Sequence, residues 1–361
     1  RRLRSKRQLT TSVANIAAIL ATPTHSAILA ATTSAPTFTA HTTHATLTSH
    51  TATLNPTCGT SLTTPAAGSS IAAGPTSPAA STARAWLGVC GHKDALRSKV
   101  STATPSQTTV LFLPPGTVYR LNSTQLLLAN VSLELRSSGT GAELDGEHRS
   151  RIFQLTGASS LTLVNMRLIN GGAVAEGGGL LLSDSSNILL INSTVSNCTA
   201  TSADGLAHGG AVSLFNSSSV SLVSSSVSSC SATTSSGDDD SFGGAFYLHK
   251  SCSASLVSSF VSSCTATSSG GLAFGGAFFL LDECSASLVS SSVSSCTVTS
   301  SGRDAGGGAF DLYKSSSASL VSSSVSNCTA TSSGWYAGGG AFELYQSSSV
   351  TLVSSSVSSC T

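Results

Sequence analysis

The chain has few charged residues and few aromatic ones. Asp, Glu, Lys and Arg make up only 9% of its 361 residues, and the formal net charge is +1, whereas about 25% charged residues is usual for a globular domain. Residues 8–83 contain no charged side chain at all. A nearly neutral chain generates no overall field that would attract nucleic acid or an anionic membrane, so we expect neither as a partner.

Long hydrophobic runs are absent as well. The sequence contains no uninterrupted run of about 18 apolar residues, the length that a membrane-spanning helix needs, so we expect no membrane span. Residues 1–25 combine a basic start with the short apolar stretch Val13–Ala21. This pattern is typical of the remnant of a secretory signal peptide, and an organelle transit peptide would be similar. The chain begins with Arg1 and ends at Thr361 within a repeat, so we expect a fragment of a longer protein.

Residues 1–82 form a tract of Thr, Ala, Ser and Pro without a hydrophobic period. Such a tract cannot bury enough apolar surface to offset the entropy of ordering it, so we predict disorder. Its histidines, His25, His41, His44 and His50, are spaced irregularly, and we interpret them as linker residues rather than metal ligands. We expect no cofactor or metal.

A β-rich domain is predicted for residues 83–361. Residues Ala83–Val100 are predicted to form a short amphipathic helix that covers the first coil, with Trp86, Leu87, Val89 and Leu96 as its apolar members. Short β-type runs separated by turn signals follow, at Thr109–Leu113, Gln125–Leu128, Ser132–Leu135 and Ser160–Val164.

Regular repeats begin at about residue 177. A Gly-Gly pair recurs with spacings of 32, 34, 32, 32 and 32 residues, at Gly177, Gly209, Gly243, Gly275, Gly307 and Gly339. A cysteine recurs with the same spacings from Cys198 to Cys360. The two-residue excess falls in the same unit both times, near Asp238–Asp240. A variable place inside a fixed frame indicates a loop.

Each repeat contains three β-type segments with alternating polarity. In the first segment Phe246 and Leu248 are predicted to point inward. Tyr247 is predicted to face solvent, because its sister positions are Asp311 and Glu343. In the second segment Ala254 and Leu256 point inward. The third segment runs from residue 261 to 267, with Val261, Cys264 and Ala266 inward.

Strands this short cannot bury their own apolar faces. Stacking the repeats at the inter-strand spacing of about 4.8 Å aligns identical residues in rows and closes a continuous core. The sequence therefore predicts an all-β protein, a right-handed parallel β-helix with coils of about 32 residues.

The repeat also resembles a known family. Gly209-Gly210-Ala211-Val212 matches the Gly-Gly-Ala-aliphatic motif of polymorphic outer membrane protein repeats, which belong to the pectin-lyase-like β-helix class. The second motif of that family, Phe-x-x-Asn, is altered here to Val-x-x-Cys. In the preceding coil, we interpret Leu168-Ile169-Asn170 as retaining the asparagine of that motif. The resemblance covers about residues 108–361, and it implies the fold rather than one function, because this fold has many functions.

Eight cysteines are candidates for cross-links between coils. They are Cys198, Cys230, Cys264, Cys296, Cys328, Cys360, Cys252 and Cys284. Stacking brings successive Cα atoms within disulfide range, so the pairs 230–264, 296–328 and 252–284 could form in an oxidising compartment. The alternative, which we favour, is that each cysteine fills a small apolar slot. One row of cysteines does not form a tetrahedral metal site.

Two further sets of residues are surface candidates. Six Asn-x-Ser/Thr sequons are predicted glycosylation sites if the chain is secreted: Asn122, Asn130, Asn192, Asn197, Asn216 and Asn327. Pairs of threonines recur at Thr199/Thr201, Thr265/Thr267, Thr297/Thr299 and Thr329/Thr331. Such an outward array resembles that of ice-binding β-solenoids, although Thr is also simply a good strand residue.

Catalysis requires clustered ionisable groups, and the repeats offer Ser and Thr instead. The dense charges at Asp145, Glu147, His148, Arg149 and Arg151 are interpreted as an early turn. We therefore expect no catalytic residues and a non-catalytic structural or adhesive protein, outside the cell or on its surface. Glycans or proteins would bind its Ser/Thr faces. A polysaccharide lyase or hydrolase is the first alternative, and an ice-binding protein is the second.

Overall fold

The structure is a computed structural model that describes residues 93–105, 107–235 and 237–361, and the backbone of the strand at 85–88. The predictions for residues 1–82, including the targeting segment at 1–25, lie outside the described residues. The described chain forms one helix, Lys93–Ser101, and otherwise a parallel β-solenoid. The predicted all-β parallel β-helix is confirmed.

Three sheets enclose the core of the solenoid. Sheet 1 contains Ala85–Gly88, Thr108–Phe112, Ser132–Arg136, Ser160–Val164, Asn187–Ile191, Ser219–Val223, Ser253–Val257, Ser285–Val289, Ser317–Val321 and Ser349–Val353. Sheet 2 contains Val118–Arg120, Ala142–Asp145, Met166–Ile169, Thr194–Ser196, Ser226–Ser228, Phe260–Ser262, Ser292–Ser294, Ser324–Ser326 and Ser356–Ser358. Sheet 3 contains Leu126–Ala129, Phe153–Thr156, Leu180–Leu182, Val212–Phe215, Phe246–His249, Phe278–Leu281, Phe310–Tyr313 and Phe342–Leu344.

Two shorter sheets form an excursion from the solenoid, which we call the side lobe. Sheet 4 contains Gly172–Val174, Thr199–Ser202, Ser231–Thr234, Thr265–Ser268, Thr297–Ser300 and Thr329–Ser332. Sheet 5 contains Ala207–His208, Ser241–Phe242, Ala273–Phe274 and Ala305–Gly306. The side lobe explains the length of the repeat: coils are 24 residues apart at Thr108 and Ser132, before the lobe begins, and 32 apart at Ser285 and Ser317.

A regular coil therefore has five strands rather than the three predicted. The third predicted segment is split between sheets 2 and 4, because the chain turns at Ser263, whose φ is 53°. The two-residue strand of sheet 5 has no period that a sequence pattern can show. Alternation alone cannot reveal a corner at which a serine adopts a left-handed conformation.

The core consists of stacked identical residues. Phe246, Phe278 and Phe310 lie ring on ring, with centroids 4.6 and 4.7 Å apart. Leu248 and Val261 are fully buried in the same cluster, and each large side chain contributes about 1.5–3 kcal/mol by burial. The inward predictions for Phe246, Leu248, Ala254, Leu256, Val261 and Cys264 are confirmed. Ala266 is buried too, but in a separate apolar cluster of the side lobe.

A row of serines also lies inside the solenoid, at the corner between sheets 1 and 2. Its buried members are Ser193, Ser225, Ser259, Ser291 and Ser323. The backbone N–H of each donates to the hydroxyl of the next coil over 3.0 to 3.1 Å. Each hydroxyl in turn reaches a backbone carbonyl, as Ser259 does with Val257 at 2.8 Å. The row thus satisfies buried backbone groups at a corner where no strand pairing is available.

The N-terminal cover differs from the prediction. Residues 85–88 form a strand that pairs in parallel with Thr108–Phe112, and the helix begins only at Lys93. Gly88 and Gly91 disfavour a continuous helix, and the strand satisfies the open edge of the first coil. The predicted covering role is retained in the helix, where Leu96 and Val100 pack into the core.

Each Gly-Gly pair forms the neck at which the chain returns from the side lobe. A Cβ atom at Gly276 would lie 2.9 Å from the backbone nitrogen of Thr297, and one at Gly308 would lie 2.7 Å from that of Thr329. The incoming and outgoing backbones therefore touch, and no side chain fits between them.

Candidate functional site

The outward face of sheet 1 consists of hydroxyl rows beside an apolar row. In each five-residue strand from Ser219 to Val353, the first, third and fifth side chains point outward. The first is Ser, the third is Ser or Thr and the fifth is Val, and all are half-buried or exposed. Consecutive strands pair in register, as Ser253, Ser255 and Val257 do with the next coil. We call this surface the serine face. Because each hydroxyl both donates and accepts hydrogen bonds, the face presents rows of uncharged hydrogen-bonding groups along the solenoid axis.

The predicted threonine pairs lie together on the outward side of sheet 4. Thr265 pairs with Thr297, and Thr267 pairs with Thr299; the next coil continues the rows with Thr329 and Thr331. Ser231 and Thr233 separate Thr265 and Thr267 from Thr199 and Thr201. Thr201 and Thr331 are exposed and the other six members are half-buried. We call this surface the threonine face.

The predicted exposure of Tyr247, Asp311 and Glu343 is wrong. Their relative accessibilities are 5%, 1% and 6%, because the strands of sheet 5 cover the outward face of sheet 3. The sequence placed these residues on the outside of the solenoid correctly, but it gave no sign of a second layer. We call the buried layer between sheets 3 and 5 the seam.

The seam is aromatic in its first coils. His208 of sheet 5 stacks on Tyr247 of sheet 3 with ring centroids 4.1 Å apart, and Phe242 lies 4.7 Å from Phe279. Neither ring nitrogen of His208 has a hydrogen-bond partner. Burial lowers the pKa of His208 to about 4, so the imidazole is neutral at physiological pH.

The seam is acidic in its last two coils. Asp311 and Glu343 are paired neighbours in sheet 3, where earlier coils have Tyr247 and Phe279. Opposite them, Gly306 and Gly338 replace Phe242 and Phe274, and a Cβ atom at either glycine would collide with the Glu343 carboxyl group. Both oxygens of Asp311 lack partners. Burial raises the pKa of Asp311 well above its usual value, and Glu343 raises it further.

Glu343 is partly stabilised by a phenol. Tyr345 donates a hydrogen bond to its Oε1, whereas its Oε2 has no partner. Burial raises the pKa of Glu343, and the hydrogen bond from Tyr345 opposes that shift. The carboxyl pair has the strongly perturbed acidity typical of functional acids, but it is closed off from any polymeric substrate.

The cysteine row lies inside the core at the corner between sheets 2 and 4. Five of its six members are buried, and Cys360 is half-buried. Burial and the neighbouring Cys198 thiol raise the pKa of Cys230 well above its usual value. Cys252 and Cys284 occupy a different internal row, where the Cys252 N–H lies 3.2 Å from the Cys284 sulphur. All eight are thiols in the structure, and the cross-links stay a prediction.

The structure does not place Asn170 at the cysteine position, contrary to what the sequence predicted. Leu168 pairs with Val195 and Ile169 with Ser196, so Asn170 aligns with Asn197, and Gly171 aligns with Cys198. A Cβ atom on Gly171 would lie 3.1 Å from the Cys198 sulphur. The preceding coil therefore has a glycine, not an asparagine, at the cysteine position.

The six sequon asparagines are all exposed. They share a left-handed backbone conformation, with φ between 45° and 56°, at Asn122, Asn130, Asn192, Asn197, Asn216 and Asn327. Asn adopts this conformation more readily than most residues, which explains its presence at corners where sister coils have Ser229 or Ser263. Exposure makes each side chain available for modification.

The charged cluster near residue 145 is held by hydrogen bonds to backbone groups and to amide side chains. Asp145 accepts hydrogen bonds from the Glu147 N–H at 2.9 Å and from Asn170 at 3.0 Å. Arg151 donates to the Gly177 carbonyl at 2.8 Å. An open groove of about 400 Å³ lies beside Arg149, Ser150 and Arg151. The contacts of Asp145 are those of a turn.

Within the described ranges, no three His, Cys, Asp or Glu side chains are placed to hold a metal ion together. Among the residues that the structure describes, no helix is long and apolar enough to cross a membrane.

Comparisons with known proteins give the chain no family. No protein-family model and no curated protein matches it. Four chains among the solved structures match. One is an alginate lyase from Paenibacillus sp. str. FPU-7, with 12% identity and a TM-score of 0.29 over 73% of this chain and 98% of the lyase chain. A similarity this distant carries no argument about activity.

Proposed function

We propose that the protein is a non-catalytic β-solenoid of the cell surface or the extracellular space, and that it binds glycans or proteins through its serine and threonine faces. The observation that carries this proposal is the register of the hydroxyl rows. Ser255 pairs with Ser287, and Ser287 pairs with Ser319, so the same groups recur at each coil. A linear polymer with a polar repeat can meet such rows many times, and the weak contacts then add up.

The neutral composition of the faces favours an uncharged ligand. On its outward side, the serine face from Ser219 to Val353 contains only Ser, Thr and Val, with no charged residue. Val257 and Val289 are among its exposed apolar residues. Hydroxyl groups beside an apolar row suit a sugar chain, which presents both hydroxyls and C–H faces.

A place outside the cell is part of the same proposal. The repeat resembles polymorphic outer membrane protein repeats in its Gly-Gly-Ala motif, and the exposed sequons suit a glycoprotein of the secretory pathway. Expression in a eukaryotic secretory host tests the second point. We expect peptide N-glycosidase to increase the mobility of the secreted chain, and less so after Ser218→Ala, which removes the sequon at Asn216. Unmodified sequons in secreted chain would contradict the glycoprotein assignment.

The binding proposal is tested with charged substitutions two coils apart. Ser255→Glu with Ser319→Glu alters the serine face, and Thr267→Glu with Thr331→Glu alters the threonine face. Ser262→Glu with Ser326→Glu on sheet 2 is the matched control, because these side chains are also half-buried on a strand. All variants and the wild-type chain are assayed on arrays of neutral and acidic glycans.

We expect binding of the wild-type chain to a neutral polysaccharide, and a loss of at least about tenfold in one of the two face variants. The control should bind like wild type. No binding, or equal binding by all variants, would contradict the proposal. Cleavage of a polysaccharide would favour the lyase or hydrolase alternative. Inhibition of ice recrystallisation that is lost only in the threonine-face variant would favour the ice-binding alternative.

A further inference from the structure

The acidic end of the seam carries an inference that is independent of the proposed ligand binding. Two consecutive coils exchange residues on both sides of the seam at once. On sheet 3 an acidic residue replaces an aromatic residue. On the opposite side of the seam, a glycine replaces an aromatic residue. Since Gly306 and Gly338 provide the space that the Glu343 carboxyl group occupies, the exchange builds a compartment for carboxyl groups.

This compartment is costly when its carboxyl groups are charged. Asp311 is 1% exposed, and neither of its oxygens has a hydrogen-bond partner. Its neighbour in the next coil, Glu343, is 6% exposed and would carry the same charge. Burying an unpaired carboxylate costs several kcal/mol of free energy, unless the group takes up a proton. Repulsion between two adjacent carboxylates raises the cost of ionising both.

The groups around the pair relieve that cost only in part, and only at Glu343. Asp304, on the loop before sheet 5, adds a further negative charge that acts on Glu343. Tyr345 donates a hydrogen bond to Glu343, Oε2 of Glu343 and both oxygens of Asp311 have no partner, and the preceding coil contributes the apolar Phe279. Among the described residues, no Lys, Arg or His side chain forms an ion pair with Asp311 or Glu343. Protonation is therefore the route to neutrality that the chain itself offers.

We propose that Asp311 and Glu343 form a proton-dependent latch that closes the last coils of the side lobe onto sheet 3. With the pair protonated, the strand Ala305–Gly306 and its bridge to Ala337 stay packed over sheet 3. When the pair ionises, the carboxylates reach water only if this part of the lobe moves away. The core of the solenoid, which lies on the other side of sheet 3, is not required to open.

The direction of the pH effect follows from linkage. In the closed seam, burial raises the pKa of both carboxyl groups above their ordinary values near 4. The closed state therefore binds protons more tightly than the open state, and its advantage is lost as pH rises through the raised pKa values. His208 acts in the opposite sense at the other end of the seam: its pKa is lowered to about 4, so acid disfavours closure there.

Hydrogen–deuterium exchange of the full chain, corrected for the intrinsic pH dependence of exchange, tests the latch. Between about pH 5 and about pH 9, we expect the protection of residues 303–311 and 335–343 to fall at least about tenfold. Residues 241–249, which hold the aromatic part of the same seam, should keep theirs. Asp311→Asn combined with Glu343→Gln should make protection at 303–311 independent of pH.

Two controls keep the outcome decisive. Asp282→Asn with Glu283→Gln removes two acids from a turn outside the seam, where Asp282 pairs with His249 and Lys314, and should leave the pH effect at residues 303–311 unchanged. If Asp311→Asn does not fold, Asp311→Ser is used instead. It introduces the residue that an earlier coil has at the aligned position, Ser213. Constant protection in the wild-type chain, or an unchanged pH effect in the neutral variants, would overturn the proposal. Restoration of protection at high pH by added Ca²⁺ would also overturn it, because the pair would then be a cation site.

Discussion

Serine has two distinct roles in this protein, and the difference is visible only at the level of single residues. Ser255 lies half-exposed on the serine face, whereas Ser259, four positions later, is fully buried in the internal row. Both belong to the same monotonous Ser-rich stretch. The sequence alone could not separate the two roles, because nothing in its composition distinguishes a hydroxyl that faces water from one that accepts a hydrogen bond from a buried amide.

Removing the buried hydroxyl should destabilise the protein. In Ser259→Ala the Ser225 N–H loses its acceptor at 3.1 Å and stays buried, which costs about 1–3 kcal/mol. Ser255→Ala removes a surface hydroxyl of the same coil and should change the free energy of unfolding by less than about 0.5 kcal/mol. Chemical denaturation of both variants measures the difference. Equal effects would show that the internal row does not contribute to stability.

The cysteine row should be chemically silent in the folded state. Neighbouring Cys230 and burial raise the pKa of Cys264 well above its usual value, and only the thiolate reacts readily with alkylating agents. We expect iodoacetamide to modify Cys264 only after unfolding, while the half-buried Cys360 reacts earlier. Mass spectrometry of each peptide measures this. A disulfide between 230 and 264 in protein isolated without reductant would instead support the cross-link alternative.

At the level of elements, the necks decide how the side lobe attaches. The repeated Gly-Gly pairs, the most regular signal in the sequence, were correctly interpreted as a fixed part of the frame. Their physical reason became clear only from the structure, in which Gly276 and Gly308 lie against the backbone of the neighbouring sheet 4 strands. A period can show that a glycine is required at a place, but not which backbone approaches it.

A methyl group at a neck should disrupt the lobe. In Gly276→Ala the new Cβ atom would lie 2.9 Å from the Thr297 nitrogen and closer still to the Gly308 carbonyl oxygen. Overpacking of this kind costs about 1–3 kcal/mol. Gly237→Ala is the matched control, because a Cβ atom there has no heavy atom within 4 Å. Thermal unfolding should separate the two variants, and equal stability would contradict the tight neck.

The elements that the sequence predicted best are those with rows of identical apolar residues. The strands around Phe246, Ala254 and Val261 were located with their correct inward faces. The elements that it missed depend on contacts between distant parts of a coil. Sheet 5 has two residues per strand, the strand at 85–88 pairs with Thr108–Phe112, and the seam buries Asp311 by covering it. None of these contacts leaves a local period.

The molecule as a whole is a one-dimensional stack in which each coil contacts its neighbours. Strands pair with the strand one coil away in every sheet, as Ser285–Val289 does with Ser317–Val321. Such an array gains its stability from repeated interfaces between units. The Ser/Thr faces and the cysteine row were predictable because stacking carries any residue that recurs at 32-residue spacing into a straight row.

Deletion of one complete coil tests this architecture most directly. Removing residues 285–316 joins Cys284 to Ser317, which starts a strand identical in sequence to the one removed. We predict a folded protein with cooperative unfolding, β-type circular dichroism and a modestly lower stability, because every interface is rebuilt in register. Deleting only residues 285–300 should abolish cooperative unfolding. Equal disruption by both deletions would contradict the solenoid of interchangeable coils on which the account rests.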